Sequence, residues 1–254
     1  QTMNFEVGMQ LERNTVDGSD GTTAPTAETY TVTAVDRAGG TITLDATTNL
    51  LATHFLFRKG AYRGNTGVFV FHGLSDFIWA DNSPPVIYSM TRTADTQRLA
   101  GSRVNAADIT GLGIEERLQV LGTYMTGRYK GPGPSHVFLN PEDWTNLSIS
   151  LQSRGQRPLK DDSTKFGFMA IECIMGGVQV KVYADRYCPK GTAFALRLKN
   201  WTLHSIKDLI HPIEEDGLTL LRNSTTNDYE YRLVSYPSLC TNAPGYSGRV
   251  ALAA

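Results

Sequence analysis

The stretch Pro134-Ser135-His136-Val137-Phe138-Leu139-Asn140-Pro141-Glu142-Asp143-Trp144 constrains this chain more than any other. It reads as a buried strand that runs directly into a helix. Val137-Phe138-Leu139 is a short apolar run. Asn140 suits an N-cap, because its side-chain oxygen can accept from a backbone N–H that has no helical partner. Pro141 fits the first helical position, where no amide hydrogen is needed. Glu142 and Asp143 fall near the positive end of the helix dipole. Trp144, Leu147 and Leu151 recur at helical spacing as one apolar stripe, and Gly155 supplies the stop.

Two-residue alternation dominates elsewhere. Met169, Ile171, Cys173 and Met175 alternate up to Gly176-Gly177, and Val178, Val180 and Val182 alternate after it, which is a hairpin signal. Further strands are expected over Ala193 to Leu203 and Tyr229 to Tyr236. Near the start, Thr29 to Val35 and Thr41 to Leu44 alternate on either side of the loop Asp36-Arg37-Ala38-Gly39-Gly40. Phe5 to Leu11 and His54 to Phe57 are two more strand candidates. Asp17 to Pro25 is a polar, glycine-containing loop.

One helix is expected within 105–129. Asn105 can cap it, and Ile114, Leu118, Leu121 and Met125 make one apolar face with Glu115, Glu116, Arg117 and Arg128 elsewhere. Gly111, Gly113 and Gly122 weaken it by about 1 kcal/mol each relative to alanine, so it starts late or bends. Residues 64–104 are irregular, and Ser83-Pro84-Pro85 excludes a helix there. A long connection of this kind is unusual inside a compact enzyme.

The Asn-Pro-x-x-Trp helix start, the Gly176-Gly177-Val178-Gln179-Val180 strand, the Cys188-Pro189-Lys190-Gly191 turn and the closing Asn242-Ala243-Pro244-Gly245-Tyr246-Ser247-Gly248-Arg249-Val250 segment follow one another in a familiar order. In order and spacing they resemble the major capsid (coat) proteins of tailed bacteriophages, over roughly residues 90 to 252. The resemblance implies an α+β fold of that capsid type, with a peripheral domain (long spine helix plus sheet) and an axial domain. It implies a division into a β-rich insertion or extended-loop region (1–63), an irregular linker (64–104) and a capsid core (105–254). Taken alone, residues 5–63 would suit a small carbohydrate- or nucleic-acid-binding barrel.

The implied function is structural: self-assembly into pentamers and hexamers that tile an icosahedral shell around double-stranded DNA. Scaffolding, portal and decoration proteins are the implied further partners, with packaged DNA touched weakly and without sequence preference. The location would be the virion, and the host cytoplasm before assembly. Because the chain opens on Gln1, a processed or trimmed product is expected. A nanocompartment shell of the same fold, or a β-barrel binding or decoration module fused to an α+β domain, are the competing readings. A sugar-processing enzyme ranks last, for want of a paired-carboxylate motif.

Composition does not count against this picture. A net charge of −1 gives no support for binding nucleic acid through bulk basicity. The three cysteines, Cys173, Cys188 and Cys240, lack metal-site or disulfide spacing. No apolar run approaches the roughly 20 residues of a membrane span. No catalytic, metal or cofactor constellation is evident, so no cofactor is expected and the chain is read as no enzyme. Cys173 is read as a buried thiol, Cys188 as the more exposed one, and His136 as structural. Glu214-Glu215-Asp216-Gly217 is read as a solvated turn in preference to a cation site. Arg154, Arg157 and Lys160, followed by Asp161-Asp162, form a charged loop after the Trp144 helix. With Glu115 and Glu116 they are the candidate assembly contacts, since opposite charges on neighbours can set register. Trp144, Leu147, Leu151, Leu118 and Leu121 are the expected core.

Overall fold

The computed structural model describes residues 2–15, 28–46, 50–61, 72–84, 86–104, 106–128, 130–153, 171–214, 217, 219–222 and 228–252. The fold is mixed α and β, with sheets predominating over a few helices. The chain divides into two compact units: residues 1–198 together with 243–254, and Lys199–Asn242.

The first unit begins with a four-stranded antiparallel sheet of β1 (Gln10–Asn14), β2 (Thr29–Asp36), β3 (Thr41–Leu44) and β4 (Phe55–Arg58), in the order β3-β2-β1-β4. Leu11, Tyr30 and Val32 form its buried centre, joined by Ile42, Leu44 and Leu56. The β2–β3 loop is held by Asp36, whose carboxylate accepts from the N–H groups of Ala38 and Gly39 at 3.0 and 2.9 Å. The strand expected over Phe5 to Leu11 instead starts at Gln10. A turn at Val7-Gly8 intervenes, with Gly8 in the left-handed region at φ +88, a conformation glycine adopts without steric cost. The Asp17 to Pro25 loop lies outside the described residues.

Two short helices follow, α1 (Leu74–Phe77) and α2 (Thr96–Ala100), then the two-residue strand β5 (Ser102–Arg103). The helix expected within 105–129 is α3 (Ile114–Thr123), continued by a π-helical turn over Tyr124–Arg128. It starts late because Gly111 sits at φ +74, outside the helical region. Its first turn is capped by Glu116, whose carboxylate accepts from the Gly113 N–H at 2.8 Å; Asn105 is outside the described residues. β6 (His136–Leu139) leads into α4 (Pro141–Ser153). Then come β7 (Ile171–Met175), β8 (Val178–Ala184) and β9 (Thr192–Leu196). Gly176 and Gly177, at φ +56 and +82, supply the two positive-φ positions of the β7–β8 hairpin.

The second unit is a ribbon of nested antiparallel pairs. β10 (Trp201–Ser205), β11 (His211–Pro212) and β12 (Leu221–Arg222) make its first half. β13 (Tyr229–Glu230), β14 (Leu233–Val234) and β15 (Pro237–Thr241) return, pairing β12–β13, β11–β14 and β10–β15. The single strand expected over Ala193 to Leu203 is therefore two strands in different units, broken by a 3-10 turn at Leu198–Asn200. That expected over Tyr229 to Tyr236 is two short pieces.

The last strand, β16 (Gly248–Ala251), belongs to the first unit and enters a six-stranded mixed sheet ordered β5-β16-β9-β6-β8-β7. One face of that sheet carries Val137, Leu139, Val180, Val182, Ala193, Ala195 and Val250 into a single buried cluster with Leu118, Leu121 and Met125 of the α3 segment and Leu147 of α4. β9 lies near the middle and is buried on both faces from Ala193 to Leu196, which explains its unbroken apolar run. Gly122 of α3 lets helix and hairpin meet: a Cβ there would stand 2.7 Å from the Gly176 nitrogen and from the Met175 backbone.

Candidate functional site

The strand-to-helix junction is built as its residue types dictate. The Asn140 side-chain oxygen accepts from the Glu142 N–H at 3.1 Å, and its carbonyl accepts from the Trp144 N–H at 2.8 Å. Its amide nitrogen does a second task, donating to the Cys188 carbonyl at 2.9 Å. Asp143 is 4% exposed, and its carboxylate accepts from the Gly191 N–H at 2.8 Å. Lys190 and Glu142 form an exposed ion pair at 2.5 Å across the same seam. The Gly191 carbonyl in turn accepts from Leu252 at 2.8 Å. Three segments distant in sequence thus close on one corner: the helix start at 140–143, the turn at 185–191 and the end of β16.

Several sequence expectations are revised at this corner. Cys188 is buried, not exposed, because its thiol points under the turn and donates towards the Phe138 and Thr192 carbonyls at 3.5 and 3.4 Å. Burial, with Asp185 and Asp143 nearby, pushes it up to about 12. Cys173 is half-buried where burial was expected, and desolvation, with the Glu115 charge adding, pushes it up to about 11. Both thiols are held protonated and unreactive near neutral pH. Trp144 is half-buried where full burial was expected. It packs on the core cluster from the first turn of α4, one turn before Leu147, which is 2% exposed, and Leu151 flanks that cluster too. A side chain of this size at a helix end rarely loses all contact with water.

Among the assembly candidates, Arg154, Arg157, Lys160, Asp161 and Asp162 lie outside the described residues. Glu115 and Glu116 stand in the first turn of α3 and are half-buried, and Glu116 is engaged in capping its own helix. Leu118 and Leu121 are core, as their spacing predicts.

Several other polar groups are tied into the fold. Ser135 lies against His136 Nδ1 at 2.9 Å. Its hydroxyl also donates to the Leu196 carbonyl at 3.1 Å and accepts from the Leu198 N–H at 3.2 Å, so it fastens strand ends. The His136 ring stacks on Tyr183 at 5.6 Å between centroids. Arg249 is set over Phe194 at 5.7 Å, and desolvation holds its guanidinium below the usual value. Tyr124, buried and bonded to Asp108, is raised by that bond and by burial, and the Arg128 guanidinium sits 3.8 Å from its ring centroid. No group of three or more His, Cys, Asp or Glu side chains among the described residues could hold a metal ion. Among those residues no helix is long and apolar enough to cross a membrane. Glu214 lines an open hollow on the ribbon with Lys207, Asp208, His211 and Pro212; Glu215 and Asp216 are outside the described residues.

The feature that reading by motif missed is the ribbon itself. None of the described side chains of Lys199–Asn242 is buried. Nine large apolar or aromatic side chains there are exposed, with Ile206 at 82%, Ile210 at 70% and Tyr229 at 69%. The signal was present in the sequence as strand-like apolar residues without a helical counterpart to cover them.

Compared with known proteins, the chain matches no family model and no curated protein.

Proposed function

We propose that this chain is a structural protein, the major capsid subunit of a tailed phage or prophage. Copies of it associate into pentamers and hexamers and close into an icosahedral head shell around double-stranded DNA. In this reading it has no catalytic role and needs no cofactor. It resides in the virion, having assembled in the host cytoplasm with scaffolding, portal and decoration proteins. Contact with the packaged DNA is weak and non-specific, as suits a chain of net charge −1.

One observation carries the reading. The Asn140-Pro141 helix start and the Cys188-Pro189-Lys190-Gly191 turn are two motifs of the capsid resemblance, and they bond to one another at one corner of the sheet, where Leu252, just past the closing segment, also bonds to Gly191. A mixed α and β architecture and a ribbon rich in exposed apolar side chains add support. Heterologous contacts between such subunits form rings when the rotation closes.

Electron microscopy of the purified protein in native buffer tests the proposal. Closed shells of uniform diameter are the expected result, filled with DNA when taken from infected cells. Protein-filled shells would favour the nanocompartment alternative. Soluble monomers at every concentration, or turnover in a broad hydrolase panel abolished by changing His136 or Cys188, would overturn it.

A further inference from the structure

We draw no further inference here: the strongest candidate, the cluster of near-parallel rings that His136 and Phe138 of β6 make with Tyr183 of β8 on one face of the six-stranded sheet, carries nothing, because the exposed Lys181 beside it stands opposite Glu172, leaving no net charge to select a partner, and nothing in the structure shows what covers the half-buried rings.

Discussion

In the six-stranded sheet, Val180 and Val182 alternate with polar residues and are wholly covered by the segments carrying Leu118, Leu121 and Leu147. In the ribbon, Trp201 and Leu203 alternate with Thr202 and His204 in the same way, yet Leu203 is open to solvent. The local pattern is the same; what differs is that the sheet's valines are buried in the cluster with Leu118, Leu121 and Leu147, whereas no described side chain of the ribbon is buried. A period-two pattern specifies a strand with an apolar side, but not whether that side is satisfied within one chain. The sheet is satisfied internally and should behave as a folding core. The described ribbon side chains are all at least partly exposed, so truncating them should cost the folded chain little.

Substitutions can break or sharpen this contrast. The largest effect is expected from Leu139→Ala, at a fully buried side chain in β6, which should cost about 2–5 kcal/mol of stability. Denaturant unfolding of the isolated subunit measures it, and a loss below 1 kcal/mol would mean the sheet is not the core. Gly122→Val should cost about 1–3 kcal/mol by overpacking where α3 meets the β7–β8 hairpin. Its readout is a lowered midpoint with an unchanged denaturant slope. Trp144→Ala should cost about 2 kcal/mol, below the range for a fully buried aromatic, since the ring is only half covered. Asn140→Ala removes both a cap and a bond to the Cys188 carbonyl, and about 1–2 kcal/mol is expected in thermal unfolding.

The thiols supply a pH-dependent prediction. Burial pushes the Cys188 thiol up to about 12 in the folded chain, from an ordinary 9.0. The folded state therefore holds the proton more tightly than the unfolded one, so its share of stability is intact below pH 9 and is lost as pH rises from 9 towards 12. The melting temperature should decline over that window, and Cys188→Ala should flatten the decline. The smallest effect on the subunit is expected from Ile206→Ser, within about 0.5 kcal/mol of wild type because the residue is exposed. A larger loss would show that the ribbon is already packed inside the monomer.

Local chemistry was legible in the sequence, and distant pairing was not. Asn140-Pro141 declares a helix start because the cap and the missing amide hydrogen act within three residues. Gly176-Gly177 declares its turn because both positions need positive φ. By contrast, Ser102 and Arg103 pair in parallel with Gly248 and Arg249, and nothing in either dipeptide points to the other. The break between β9 and β10 was hidden for the same reason, since Ala193 to Leu203 is apolar enough to continue as one strand. Cys188 was misjudged because a residue beside a turn is usually open, and its cover comes from segments about 50 residues away. For the candidate site, the corner motifs could be found one by one, but their mutual bonding could not.

The position of β16 has a consequence for the order in which the fold can be made. It is the last strand in sequence, yet it sits inside the sheet, between β5 and β9. Ser102 donates to the Gly245 carbonyl across a sequence separation of 143. On the ribosome, where chains fold from the N-terminal side as they emerge, β5 and β9 both wait with bare backbone edges until residues 248–251 appear. Bare edges are templates for mispairing with other nascent chains. The chain is most exposed to that hazard during this interval, before β16 closes the gap.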